Sequence, residues 1–164
     1  MLRKDGDARS SRLERSAGST AAAHGGVSPR PLRGTVRGRA LIVDDDRSIR
    51  LILRETLRAD GWTVDEVDDG AAVEEQLEQQ RYDLLLLDLY MPGMNGYEVL
   101  RRIRLTRGAV LPGWKTPASV GIVVLSGAAG NDGLSFAARL GADACLSKPF
   151  ELADVLAAVR GIKR

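Results

Sequence analysis

LLLLDLYMPGMNGYE, residues 84–98, runs four leucines into an acid, Asp88, and follows it with Met91-Pro92-Gly93. Four apolar residues in a row show no period-2 alternation, so the run reads as a strand covered on both faces. Strands of that kind belong to parallel sheets flanked by helices. The flanking chain agrees. ALIV (40–43) and GIVVL (121–125) are similar runs, TVDEV (63–67) alternates as an edge strand does, and ACL (144–146) is short enough for the other edge. Between them apolar residues recur at helical spacing: Ile49, Ile52, Leu53 and Leu57; Val73 and Leu77; Val99, Leu100 and Ile103; Leu152, Val155, Leu156 and Val159. Gly61 and Gly141 stand where helix C-caps belong, and Asn131 or Asp132 where a cap would start the helix leading into Phe136. Strand then helix, five times over, predicts an α/β fold on a five-stranded parallel sheet.

Length and composition narrow the function classes. A chain of 164 residues supports one domain with a substantial core. With 4% aromatic residues it offers few stacking platforms for single-stranded nucleic acid. No apolar run approaches the ~20 residues that span a bilayer, and the N-terminus has no apolar signal region, so the expectation is a cytoplasmic protein without membrane contact. The single cysteine, Cys145, excludes an internal disulfide, and the lone His24 excludes a histidine metal cluster. Charge is uneven: residues 1–39 carry +6 and the remainder −4, giving the net +2. Residues 1–38, rich in Arg, Ser, Gly and Ala without an apolar period, are expected to form a disordered basic extension, and residues 39–164 the folded domain. Contact with nucleic acid is argued only for that tail, because clustered arginines favour phosphate. A transit peptide is disfavoured by Asp5, Asp7 and Glu14.

In an open parallel sheet, reactive groups collect beyond the carboxyl ends of the strands, where strand order reverses. The first strand ends in Asp44-Asp45-Asp46 and the third in Asp88. In a 2-1-3-4-5 order these strands are neighbours and their carboxylates converge. Two unit charges ~4 Å apart repel by roughly 4 kcal/mol at an effective dielectric of ~20, so the cluster calls for a cation. Oxygen ligands alone point to Mg²⁺, with Mn²⁺ second. Of the three consecutive acids, Asp46 is assigned to capping the next helix and Asp44 and Asp45 to the site. The fourth strand brings Ser126, followed by the small Gly127, and the fifth brings Lys148. Carboxylates, a hydroxyl, an ammonium and a divalent ion suit phosphoryl chemistry, in which charge spreads over oxygens that the cations and the hydroxyl can meet.

IVDDD (42–46), LLLLDLYMPGMNG (84–96), VLSG (124–127) and LSKPF (146–150), in this order, resemble the receiver domain of bacterial two-component response regulators. The resemblance covers Ala40 to about Lys163. It implies a flavodoxin-like, doubly wound (βα)5 fold of order 2-1-3-4-5. It also implies that Asp88 accepts the phosphoryl group, that Ser126 and Lys148 act with it, and that Asp44, Asp45, Asp88 and the backbone carbonyl of Tyr90 hold Mg²⁺. The implied Lys148-Pro149 bond is cis. The implied partners are a sensor histidine kinase or histidine phosphotransfer protein, and a downstream protein or second copy on the face of the fourth helix, fifth strand and fifth helix. Phosphorylation is expected to shift Ser126 and the 128–133 loop. Tyr90, two residues past the acceptor, is positioned to shield an acyl phosphate from water.

One position departs from the family pattern. Cys145 stands where the family usually has Tyr or Phe, which puts the aromatic readout of phosphorylation in question; the thiol reads as a small buried apolar group. No helix-turn-helix follows the last helix, so the expectation is a stand-alone phosphoacceptor signalling domain rather than a turnover enzyme. Two other readings stand beside it. One is a receiver-like scaffold that works without phosphorylation. The other is an aspartate-nucleophile phosphohydrolase resembling the haloacid dehalogenases, against which Tyr90 occupies the place of the second acid.

Overall fold

The structure is a computed structural model, and it describes residues 36–92, 95–105, 113–127 and 131–163. The expected basic extension, up to residue 35, lies outside the described residues, as do Gly93 and residues 128–130 of the loop expected to shift. Five strands alternate with five helices: β1 (Gly38–Val43), α1 (Arg47–Ala59), β2 (Trp62–Val67), α2 (Gly70–Gln79), β3 (Leu84–Asp88), α3 (Gly96–Leu105), β4 (Gly121–Ser126), α4 (Asn131–Leu140), β5 (Ala144–Ser147) and α5 (Leu152–Gly161). The strands are all parallel, in the order β2-β1-β3-β4-β5.

Side-chain alternation on the three central strands builds two cores, one on each face of the sheet. Leu41, Val43, Leu85, Leu87, Ile122 and Val124 point to the face covered by α2, α3 and α4. Ala40, Ile42, Leu84, Leu86, Val123 and Leu125 point to the face covered by α1 and α5. Leu84 to Leu87 are all 1% exposed or less. Burying each leucine side chain contributes about 1.5–3 kcal/mol, so the run anchors β3 in the centre of the sheet and fixes where Asp88 emerges.

Two expectations about helix faces need correction. Ile52 on α1 is 50% exposed and Leu152 on α5 is 39% exposed. On α1 the core-facing line is the partly buried Ile49 and the buried Leu53 and Leu57 at strict i+4 spacing, and Ile52 lies one residue off it, turned toward solvent. On α5 the line is Val155 and Val159, and Leu152 sits in the first turn at the helix end. A third expectation placed a cap at Asn131 or Asp132. The helix begins at Asn131, so Asp132 falls inside the first turn, where its charge suits the helix N-terminus; the Asn131 side chain lies outside the described residues. Gly61 and Gly141 do end helices, with φ of 93° and 105°, values that a β-carbon disfavours.

Candidate functional site

The carboxyl ends of β1, β3, β4 and β5 form one edge of the sheet, and the β2-β1-β3 order reverses direction there. Asp44 follows β1 directly and is fully buried, while Asp88 closes β3 at 4% exposure. Lys148 follows β5, and its Nζ donates to Asp44 Oδ2 at 2.6 Å and to Asp88 Oδ2 at 2.7 Å. Asp44, Asp45 and Asp88 each present an oxygen such that all three lie within 4.8 Å of one another. Asp45 is exposed, and no donor reaches its carboxylate among the described residues.

Local hydrogen bonds set the aim of Asp44 and Asp88. The second oxygen of Asp44 accepts from the Asp46 amide at 2.9 Å, and Asp88 Oδ1 accepts from the Tyr90 amide at 3.1 Å. Asp46 caps α1, its Oδ1 accepting from the Ser48 and Ile49 amides at 2.7 and 3.3 Å, which leaves it out of the cluster. After Asp88 the chain doubles back, and the Gly96 amide donates to Leu89 O at 3.1 Å. A β-carbon at position 96 would meet Asp88 O at 2.2 Å, so only glycine lets the loop lie this close behind the acid.

Ser126 lies at the end of β4, one residue beyond Leu125, the register partner of Asp88. It is 2% exposed, and its hydroxyl has no hydrogen-bond partner among the described residues. An unpartnered buried hydroxyl costs about 1–3 kcal/mol, which makes Ser126 a donor suited to an anionic ligand at this edge. Gly127 keeps an ordinary 3.7 Å clearance from Lys148 Cβ even if a β-carbon is added. The Lys148 amide donates to Ser126 O at 2.7 Å, tying the β4 and β5 ends together, and the Lys148-Pro149 bond is cis.

Electrostatics agree with the donor set. Burial pushes the Asp44 carboxyl above its ordinary range, against the opposing hydrogen bonds from Lys148 and the Asp46 amide. Burial also pulls the Lys148 ammonium down, but its hydrogen bonds to Asp44 and Asp88 outweigh that, so its pKa is raised and it is charged at neutral pH. One ammonium, bound to two of them, thus accompanies a cluster of three carboxylates, which favours a further cation. Oxygen-only ligands within reach of each other fit a hard divalent ion.

A stability prediction follows from Asp44. A carboxyl whose folded pKa exceeds the unfolded one binds more protons in the folded state across that window. Its contribution to stability therefore falls as pH rises through the window and stays unfavourable above it. Without divalent ions at neutral pH, Asp44→Asn is expected to melt above the wild type, with the gap closing as pH falls below the ordinary value of 3.8. Parallel thermal unfolding curves check this, and a lower midpoint for Asp44→Asn at neutral pH would contradict it.

Sequence reading passed over two further features of this end of the molecule. Arg50 Nη1 donates to the carbonyls of Asp44 and Asp45 at 2.6 and 3.1 Å. The only signal for it is position: it lies one helical turn past the Asp46 cap. The second is a run of aromatic rings, with Tyr90 packed edge-on to Tyr97 at 6.1 Å and Tyr97 packed on Phe136 at 5.4 Å. Tyr97 and the half-buried Cys145 pack against the same core. Burial pushes the Cys145 thiol up, consistent with a small apolar role.

A family model described as the response regulator receiver domain matches residues 40–160. Response regulator MprA of Mycobacterium ulcerans is 38% identical over 126 residues, covering 77% of this chain and 50% of that protein. The DNA-binding response regulator MtrA of Mycobacterium bovis is 35% identical, with the same coverage of 77% and 50%. The chain therefore spans about half the length of the curated relatives it matches. Among solved structures, chemotaxis protein CheY4 of Vibrio cholerae superimposes with a TM-score of 0.64 at 26% identity, covering 76% of this chain and 98% of that one. A CheY-like receiver domain protein from Methanospirillum hungatei gives 0.63 at 27% identity, covering 74% and 90%.

Proposed function

The chain belongs to the response regulator receiver family, and from that premise we propose that it accepts a phosphoryl group on Asp88 from a phosphohistidine of a sensor kinase or phosphotransfer protein. The observation that carries the reading is Lys148 spanning Asp44 and Asp88 at 2.6 and 2.7 Å, at the sheet edge where Ser126 also ends its strand.

In the proposed reaction a carboxylate oxygen of Asp88 attacks phosphorus in line. An O–P bond forms as the P–N bond of the donor breaks, and the departing imidazole keeps the electron pair and takes a proton from solvent. Lys148 and the Ser126 hydroxyl donate to the oxygens on which charge accumulates. Asp44, Asp45, Asp88 and the Tyr90 backbone carbonyl would hold Mg²⁺, or Mn²⁺ in its place. A divalent ion bound there supplies charge neutralisation between the acids and the incoming phosphoryl group. Tyr90, 48% exposed beside the acceptor, is proposed to slow hydrolysis of the acyl phosphate by covering it.

The product is a signal rather than a released compound. Ser126 drawn toward the phosphoryl group is proposed to bias α4, β5 and α5 between two arrangements, read by a downstream protein or a second copy of the chain. The protein is proposed to act in the cytoplasm. No described helix is long and apolar enough to cross a membrane.

Incubation with Mg²⁺ and acetyl phosphate, followed by intact mass, tests the reading. A single added phosphoryl group that fails to appear when EDTA is present is expected. Absence of any adduct would favour the phosphorylation-independent scaffold, and rapid multiple-turnover release of phosphate would favour the hydrolase.

A further inference from the structure

Resting on the phosphoacceptor reading above, we infer that Arg50 is a positioning residue for the cation site, fixing the backbone of the β1–α1 turn so that Asp44 and Asp45 present their carboxylates together. Pairing of β1 with β3 ends at Val43 opposite Leu87, so the carbonyls of Asp44 and Asp45 lie beyond that ladder. A single guanidinium nitrogen, Nη1, takes both of them, at 2.6 and 3.1 Å. The rest of the guanidinium is held from the β2 end: Nε lies 3.6 Å from Glu66 Oε2 and Nη2 lies 3.7 Å from Asp68 Oδ2, with the side chain 12% exposed. Arg54 Nη1 pairs with the other Glu66 oxygen, Oε1, at 2.7 Å and does not reach the carbonyls that Arg50 holds.

The two acids depend on this clamp to different degrees. Asp44 is fixed by its own bonds to Lys148 and the Asp46 amide. Asp45 has no donor on its carboxylate among the described residues, so its place is set by its backbone, and the side-chain contact to that backbone comes from Arg50. A hard cation requires oxygens at fixed distances, and groups that orient the ligands matter nearly as much as the ligands. A planar guanidinium can serve two carbonyls and two acids at once. A lysine ammonium, a point charge on a flexible stem, cannot reproduce that fork.

The alternative is that Arg50 merely joins an ion-pair ladder, Arg54–Glu66–Arg50, between α1 and β2. Mg²⁺ titration calorimetry on the full chain, paired with metal-free thermal unfolding, separates the two roles. Removing an outer partner of this kind typically weakens metal binding by about 10- to 100-fold. Arg50→Ala is expected to fall in that range, Arg50→Lys to lie between it and the wild type, and Arg54→Ala, which breaks the ladder but leaves the carbonyl bonds, to bind as the wild type does. A folded Arg50→Ala with wild-type Mg²⁺ affinity overturns the inference, as does an Arg54→Ala that weakens binding equally. If Arg50→Ala does not fold, Arg50→Lys decides, and wild-type affinity in it overturns the inference. Wild-type protein that binds no Mg²⁺ would sink the phosphoacceptor reading itself, an outcome visible before any variant is compared.

Discussion

Asp88→Asn is expected to take up no phosphoryl group from acetyl phosphate and Mg²⁺ under conditions that load the wild type, while keeping its fold. The amide removes the proposed nucleophile and nothing else of size. Its oxygen can still accept from the Tyr90 amide, and Lys148 retains Asp44 as a partner. Neutralising one acid also relieves repulsion in a cluster of three carboxylates that holds a single ammonium, on Asp44 and Asp88. Intact mass reports uptake, and circular dichroism reports the fold. Wild-type levels of adduct on this variant would place the acceptor on another residue.

Lys148→Met is expected to separate metal binding from transfer. The ammonium lies 2.6–2.7 Å from one oxygen of each of two acids, so its removal leaves those oxygens to a divalent ion and should hold Mg²⁺ affinity level or raise it. In the proposed reaction the same change removes a preorganised donor to the developing charge on the phosphoryl oxygens. Loss of such a donor costs about 10²- to 10³-fold in rate. The expected signature is therefore phosphorylation slowed by at least about a hundredfold with Mg²⁺ binding intact, measured by timed intact mass and calorimetry. A variant that loses Mg²⁺ binding along with the rate would show that Lys148 organises the site rather than serving the transfer.

The sheet was legible because its signals are one-dimensional. A run such as Leu84 to Leu87 can be satisfied only where both faces are covered, and an acid at the end of such a run has to emerge at the sheet edge. The same logic placed Asp44, Ser126 and Lys148 at strand ends. It could not tell which neighbouring acid would be buried. Asp44 at 0% exposure and Asp45 in solvent are adjacent residues of one type, separated by the direction in which the chain leaves β1. Nor could it find Arg50, whose contacts run to main-chain carbonyls that carry no sequence signal. Ile52 and Leu152 were assigned to buried faces because apolar spacing marks a stripe without giving its width, and α1 is covered along Ile49, Leu53 and Leu57 alone. The packing of Tyr97 between Tyr90 and Phe136 joins α3 and α4, elements separated in the chain by β4, beyond the reach of local spacing.

One atom, a carboxylate oxygen of Asp88, is the proposed receiver of phosphorus. Borohydride reduces an acyl phosphate to the alcohol, so treatment of the phosphorylated wild type followed by peptide mass spectrometry reads the acceptor directly. Homoserine at position 88 and nowhere else is the predicted result. Homoserine at Asp44 or Asp45, or a phosphate ester surviving on Ser126, would contradict it.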